Sequence, residues 1–458
     1  MPGPVNTTDL MPPRLKGAYW EAARCLQCYD PPCNQGCPAG IDVARFIRQL
    51  SKGDVSGAAD TIERDNPFGL ICGWICPSEV LCQKECIARK LGRAIDIRSL
   101  QRFATEENRR AGSSNRFLAR PQLTEQRILV QGQITREAPM NTAVGGEKVA
   151  VIGSGPAGMT CGLFLAKLGY RVELWEKTDT VGGRLSRGIP SFRLDPAVLR
   201  SELEILAAPL TIHRGRAFGT DTSLDDLHRQ GYLAVFLATG KWREDLPDIP
   251  GNQLHGVYTA DRILTQIDWK GAGVKSAAVV GAGNAAMDVA RSLLAEGVEM
   301  VHILYRRTPK ELTSWDEERE EAWQAGVIFH LLCLPVALKG DSARQVRSVV
   351  CARTAPGPLD SSGRRSFRAV QGYTFELPVE MVVFALGYGA DCASLQSQGI
   401  AVNEEGYVRV NEDLATSLEG VFAGGDLIGE GRGTIVQAVA DGKRAALRIH
   451  QYLSQGRH

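Results

Sequence analysis

At 458 residues the chain is too long for one ordinary hydrophobic core, and roughly 100–200 residues per domain implies about three. A composition of 44% hydrophobic and 23% charged residues is that of a globular protein in water, which sets aside fibrous and disordered classes. The net charge of +1 gives no general pull towards nucleic acid or an anionic membrane, no apolar run approaches the roughly 18–20 residues of a membrane span, and the amino end has no signal-peptide core. No nucleic acid and no membrane is therefore expected among the partners, and the expected location is cytoplasmic. The 49 glycines are the one compositional outlier and point to tight turns and close ligand approach.

In chain order, the first feature is "CLQCYDPPCNQGCP", with Cys25, Cys28, Cys33 and Cys37, followed by "CGWICPSEVLCQKEC", with Cys72, Cys76, Cys82 and Cys86. Eight of the twelve cysteines thus precede residue 87, while Cys161, Cys333, Cys351 and Cys392 are scattered and read as small buried apolar side chains. Three readings of the dense group compete. Disulfides rarely persist in a reducing compartment. Zinc asks for separated CxxC knuckles, whereas C-x2-C-x4-C-x3-C-P is nearer an iron–sulfur pattern with its trailing proline. Eight thiolates are enough for two [4Fe–4S] clusters, held either in two sequential blocks or with crossed ligation, and spacing alone leaves both open.

Around these cysteines, "DVARFIRQLSKGDVSGAADTIERDNPFG" and "DIRSLQRFATEENRRAG" repeat apolar residues at three- and four-residue steps, so the first 115 residues are expected to be helical. Periodicity fades from about residue 113, and 116–146 reads as a linker.

From Lys148 the pattern turns to valine-rich runs ending in glycine and followed by helix-length stretches, the mark of βαβ units and a parallel sheet. In "KVAVIGSGPAGMTCGLFLAKLGYRVELWEK", Gly153, Ser154, Gly155, Pro156, Ala157 and Gly158 form G-x-G-x-x-G between a strand and an apolar helix. The first glycine permits the turn, the second admits a pyrophosphate, the third lets helix pack on strand, and the helix dipole faces the phosphates. The second strand ends in Glu176 and Lys177, where a carboxylate can accept from a ribose. In "SAAVVGAGNAAMDVARSLLAEGVEMVHILYRR" the turn is Gly281, Ala282, Gly283, Asn284, Ala285 and Ala286, and no acid ends the next strand. Arg306 and Arg307 stand there instead, which suits the 2′-phosphate of NADP better than the diol of NAD.

One unit is accordingly expected to hold FAD and the other a nicotinamide nucleotide, with NADP(H) favoured over NAD(H). For the flavin, "TVGGRL" puts Gly182, Gly183 and Arg184 where a chain passes close to a nucleotide, and "AVFLATG" is a strand ending at Gly240. Near the carboxyl end, Gly424, Gly425 and Asp426 follow a strand and precede a helix from about Thr434 and Ile435, a carboxylate for ribityl hydroxyls and a helix dipole for a reduced flavin.

"RCLQCYDPPCNQGCP", "DNPFGLICGWICPSEVLCQKEC", "IDIRSLQRF" and "GIPSFRL", with the two glycine turns in this order, resemble the glutamate synthase small-subunit family, and most of all the amino-terminal half of dihydropyrimidine dehydrogenase and its bacterial NAD(P)H-oxidising subunit. The resemblance covers roughly residues 20–455. It implies an α/β fold: an all-α iron–sulfur domain (1–115) and the linker, then an FAD domain (147–272 and 386–458) into which an NAD(P) domain (273–385) is inserted. It implies that Cys25, Cys28, Cys33 and Cys86 hold one cluster, and Cys37, Cys76, Cys82 and Gln101 the other, leaving Cys72 spare. The alternative, Cys72 as eighth ligand with Gln101 on a helix surface, stays open. Arg193 matches a flavin-contacting arginine.

A nicotinamide delivers hydride, an iron–sulfur cluster passes one electron, and FAD can do both, so the expected function is conversion between the two. No side chain need act as acid or base. No CxxC pair lies in either nucleotide domain, which argues against a disulfide reductase. No stretch remains for an amidotransferase or an FMN barrel, so the chain is expected to be a subunit serving a catalytic oxidoreductase partner, with a ferredoxin-like carrier as another candidate. "LQRF" with Gln101 leans towards pyrimidine reduction, whereas Arg306 and Arg307 lean towards NADPH and away from the NADH of the bacterial pyrimidine subunit. The competing class is a cluster-bearing sensor or docking module without turnover.

Overall fold

The structure, a computed structural model, describes residues 13–123, 125–130, 133–137, 146–244, 246–265, 273–359, 363–429 and 433–455. It divides into two compact units, one of Met1–Ser186, Ser191–Lys241 and Ala390–His458, the other of Arg187–Pro190 and Trp242–Gly389.

The first unit opens with the helices among which the eight cysteines lie. Three of them, Val43–Ser51, Val55–Asp65 and Ile97–Arg110, start after an aspartate, and Asp42, Asp54 and Asp96 each accept from the backbone N–H three residues on. An N-cap of this kind is worth about 1 kcal/mol and fixes where each helix begins. The apolar stripes face inward, with Phe46, Ile47, Ile62, Ile97 and Leu100 all buried. A buried charge hub then ties this segment to the nucleotide-binding segment: Arg109 meets Glu63 at 2.6 Å and, on the helix Pro196–Ala207, Glu202 at 2.8 Å.

The segment 116–146, read as linker, contains an antiparallel pair, Gln126–Val130 with Gln133–Glu137, in register Gln126↔Glu137. Its short length and its polar outer positions give a weak periodic signal, while Ile128 is buried.

The sheet of the first unit is parallel and five-stranded, in the order Val421–Ala423, Tyr232–Leu237, Lys148–Ile152, Arg171–Glu176, Thr211–Arg214. The second unit repeats this layout with Val257–Thr259, Met381–Phe384, Ser276–Val280, Met300–Tyr305 and Ile328–Leu331, again all parallel. In both, the strand that feeds the glycine turn lies in the middle. Helices cover both faces of such sheets, which is why Val149–Ile152 and Ala277–Val279 are buried without alternation. The second unit adds a three-stranded antiparallel sheet, Cys333–Gly340, Val346–Leu359 and Arg365–Pro378.

Candidate functional site: two glycine turns and two groups of thiols

The first glycine turn is closed by contacts that only glycine permits. Gly153 has φ +103°, and a Cβ there would lie 2.5 Å from the Ala238 carbonyl oxygen. A Cβ at Gly158 would lie 1.9 Å from the Gly153 oxygen, so the helix Pro156–Lys167 sits directly on the turn. At Gly155, by contrast, a Cβ would meet nothing within 4 Å. That space lies at the helix N-terminus and can admit a pyrophosphate. The loop with Gly182 and Gly183 is strapped across it: Gly182 N–H donates to Ser154 O at 3.0 Å, and a Cβ on Gly183 would come within 3.0 Å of Gly155 Cα.

Glu176, at the end of the second strand, is buried. One carboxylate oxygen accepts from Ser154 N–H (3.0 Å) and Ser154 Oγ (2.6 Å), the other from Thr178 N–H and Oγ1 (both 2.9 Å). Its neighbour Lys177 is exposed. The strand Tyr232–Leu237 leads to Gly240 at φ +71°.

The carboxyl-terminal elements meet the same helix. A Cβ on Gly425 would approach Ala157 Cβ to 3.0 Å, and Gly425 N–H donates to Asp441 at 3.0 Å. Burial raises the carboxyl of Asp426, with Lys241 and then Arg184 acting against it. The last helix, Ile435–Gln455, begins after Thr434, whose Oγ1 accepts from Gln437 N–H at 3.2 Å. Arg193 lies half-buried in the turn before the helix Pro196–Ala207.

In the second unit, Gly281 has φ +127°, and a Cβ there would meet Ala385 O at 2.3 Å. At Gly283 the nearest atom to a Cβ would be Thr313 Oγ1 at 3.5 Å, again leaving room at a helix N-terminus, that of Asn284–Ala295. Ala286 occupies the third position and is fully buried. Asn284 Oδ1 accepts from Trp315 N–H at 2.9 Å and Ala282 O from Ser314 N–H at 3.0 Å; Ala285 is half-buried. At the end of Met300–Tyr305, Arg306 is exposed and its guanidinium lies 4.6 Å from the centre of the Phe367 ring. Burial lowers the pKa of Arg306, and Arg307 and Arg364 lower it further, so three guanidiniums share this corner. Phe367 belongs to the strand Arg365–Pro378 and Arg364 stands just before it; neither carried a signal in the sequence, because pairing between strands distant in sequence is not local.

The eight thiols separate into two groups that interleave in sequence. Burial raises the thiol pKa of Cys25, and Cys86 and Cys28 add to it; that of Cys33 is raised to about 12, by burial and then by Cys86, Cys25 and Cys28. Burial also pushes Cys76 and Cys82 well up, with contributions to Cys76 from Cys72, Cys82 and Cys37. Cys25, Cys28, Cys33 and Cys86 therefore sense one another, and so do Cys37, Cys72, Cys76 and Cys82. The groups adjoin at Cys33 and Cys82, where a Cβ on Gly36 would lie 2.8 Å from Cys82 Cα. Among the described residues, no three His, Cys, Asp or Glu side chains are placed to share a single metal ion. Each group brings neighbouring soft donors together, which fits a multi-iron cage.

Gln101 is buried, and its Nε2 donates to Gly69 O at 2.8 Å, at the start of the short helix Gly69–Ile75 that carries Cys72. The second group also faces a cation that sequence reasoning missed. Lys443 is 1% exposed, and its Nζ donates to Ala39 O (3.0 Å), Asp65 O and Asp65 Oδ1 (both 3.3 Å). It acts electrostatically on Cys37. The available signal was a lysine on the apolar stripe Val436, Val439, Lys443, Ala446, all buried. Of the cysteines read as isolated, Cys333 and Cys351 in fact interact with each other through their side chains.

Comparison with known proteins agrees with this layout. Residues 11–113 match the family described as dihydropyrimidine dehydrogenase domain II, 4Fe-4S cluster, and residues 147–442 match pyridine nucleotide-disulphide oxidoreductase. The chain is 32% identical to the NAD-dependent dihydropyrimidine dehydrogenase subunit PreT homolog of Salmonella typhi, covering 96% of this chain and 95% of that one. It is 36% identical to the NADP(+)-dependent formate dehydrogenase subunit beta of Moorella thermoacetica over 97% of its own length, and spans 63% of that relative. It is 29% identical to the glutamate synthase [NADPH] small chain of Azospirillum brasilense, covering 94% of this chain and 88% of that one. Among solved structures, Mycobacterium tuberculosis FprA in complex with NADPH shares the fold, with a TM-score of 0.55 at 20% identity over 68% of this chain and 85% of that one. With one family covering most of its length and a relative matched almost end to end, the chain belongs to the iron–sulfur flavoprotein oxidoreductases of the glutamate synthase small-chain and PreT type and is an NAD(P)H oxidoreductase.

Proposed function

We propose that this chain is the electron-transfer subunit of a larger complex, exchanging electrons between NADP(H) and a catalytic oxidoreductase partner through FAD and two [4Fe–4S] clusters. When bound, the flavin exchanges hydride with the nicotinamide and the iron–sulfur centres carry electrons singly. The observation that carries the reading is Lys443: a residue of the helix that follows the Gly425–Asp426 turn is buried against the loop after Cys37, so the nucleotide turn and the thiols share one interior.

The residues divide the work by chemistry. Gly155 and the helix after it leave room for the flavin pyrophosphate, Glu176 orients the turn where the ribose would lie, and Gly182, Gly183, Gly240, Gly425, Asp426 and Thr434 would line the remaining length. Gly283 plays the same part for the second nucleotide, and Arg306 with Arg307 supplies planar donors for a 2′-phosphate. The Phe367 ring holds the Arg306 guanidinium in place, which supports NADP over NAD. Cys25, Cys28, Cys33 and Cys86 hold one cluster; Cys37, Cys76, Cys82 and Gln101 hold the other. Gln101 commits its amide nitrogen to Gly69, which leaves its oxygen as the donor atom.

The test is anaerobic: the reconstituted protein should contain iron and acid-labile sulfide for two clusters, and NADPH should bleach both flavin and cluster absorption. Cys72→Ser should keep both clusters and Gln101→Ala should lose or alter one. Protein that stays coloured with NADPH in excess, or that holds no sulfide, overturns the assignment.

A further inference from the structure

The two groups of thiols differ in what surrounds them, and the difference marks an interface. In the second group Cys37, Cys72 and Cys82 are buried and only Cys76 is partly exposed, whereas in the first Cys25, Cys28, Cys33 and Cys86 all are. Around the exposed group stand large apolar side chains left exposed by the described residues: Leu26 and Tyr29 within the Cys25–Cys33 loop, and Ile87 and Leu91 on the turn after Cys86, with Leu91 76% exposed. Trp20 joins them, 60% exposed on the helix Pro13–Ala23. That helix is pinned to the same turn, since Glu21 pairs with Arg93 at 2.7 Å and Arg24 donates to Arg93 O at 3.0 Å. Apolar side chains crowded this way beside a functional group mark an interaction site.

Charge identifies the occupant. Arg24, Arg48, Lys84, Arg89, Lys90 and Arg93 are all exposed around this patch, against Glu21, Asp30 and Glu85. Arg48 reaches in far enough to act on the Cys25 thiol and donates to Gln27 Oε1 at 2.8 Å. A basic rim around an apolar centre, on a chain whose overall charge is near zero, steers an acidic surface and orients it.

We propose that the face around Cys25, Cys28, Cys33 and Cys86 is the docking surface for a redox protein whose own one-electron centre is ringed by acidic side chains. The inference rests on the function proposed above. The exchange balances as two reduced acidic carriers plus NADP⁺ and one proton giving two oxidised carriers and NADPH, or the reverse.

The probe is a plant-type [2Fe–2S] ferredoxin, an acidic protein, reduced chemically and mixed anaerobically with the holoprotein and NADP⁺; cytochrome c, a basic protein, is reduced from NADPH as the contrast. In wild type, ferredoxin-driven NADPH formation should fall steeply as salt rises. Arg89→Glu with Lys90→Glu should slow it about tenfold at low salt and flatten the salt dependence, while speeding reduction of cytochrome c. Leu91→Ser should slow ferredoxin exchange without changing its salt dependence. Iron content and NADPH-driven flavin bleaching should stay at wild-type values in all three variants. Ferredoxin exchange that is absent in wild type, or untouched by both the charge reversal and the loss of Leu91, overturns the docking surface. Clusters that NADPH fails to bleach in wild type would remove the proposed function instead, which keeps the two failures distinct.

Discussion

The two glycine turns use one device with different tolerances. In the first, the helix presses so closely on the strand that the third position must be glycine; in the second, Ala286 fills that position and is fully buried. The first ends its second strand in a buried carboxylate that gathers four donors, the second in two arginines, one of them set against an aromatic ring from the strand Arg365–Pro378. The common strand order shows that the scaffold is the same, so what separates the two sites is a methyl group and the sign of a charge.

The sharpest way to break that contrast is to put the methyl where it does not fit. Gly158→Ala forces a Cβ to within 1.9 Å of a carbonyl oxygen. Overpacking against backbone is expected to cost about 3 kcal/mol and to leave the purified protein without flavin, read by its visible absorption and its Tm. The reverse change, Ala286→Gly, should cost about 2 kcal/mol, from helix propensity and the loss of a buried methyl, and leave nucleotide binding intact. Equal responses would show that the two turns do not differ in closeness.

Next comes the charge. Arg306→Ala removes a planar donor and its stacking on Phe367, and NADPH affinity is expected to fall by about 2 kcal/mol, some 30-fold, with NADH unchanged. Parallel equilibrium titrations with the two nucleotides decide it, and an equal loss for both would remove the 2′-phosphate assignment. On the other side, Glu176→Gln leaves one oxygen to serve donors that now occupy two, and about 1.5 kcal/mol of flavin affinity should go, measured by flavin release on dilution.

The smallest effect is expected at Gly283→Ala. The nearest atom to the new methyl is Thr313 Oγ1 at 3.5 Å, so unfolding of the nucleotide-free protein should shift by less than about 0.5 kcal/mol. A large shift would mean that the space at this helix N-terminus is already in use.

The glycine turns and their order were legible because each is a local string: the strand, the turn and the helix are neighbours in sequence, and their residue types follow from backbone geometry. The dense cysteines were legible for the same reason. What stayed hidden is long-range. Arg364 and Phe367 reach Arg306 only through the pairing of long antiparallel strands, and Glu202 meets Arg109 across 93 residues. Spacing left the thiols free to group in blocks or crosswise, since the crossing depends on how the turn at Gly36 lies against Cys82. The short pair at 126–137 was invisible because five-residue strands with one buried apolar position, Ile128, carry little periodicity.

Lys443 also governs the order of assembly. Its ammonium is satisfied by the oxygens of Ala39 and Asp65, 404 and 378 residues earlier in the chain. During synthesis those oxygens leave the ribosome first and wait for this lysine while at least 378 further residues are made. The helix that answers them emerges long after. Biogenesis therefore has to shield a half-built amino-terminal segment until that helix is made, and a product truncated before it deprives the Ala39 and Asp65 carbonyls of this donor and leaves the Asp65 carboxylate to Arg64 and the Arg127 N–H.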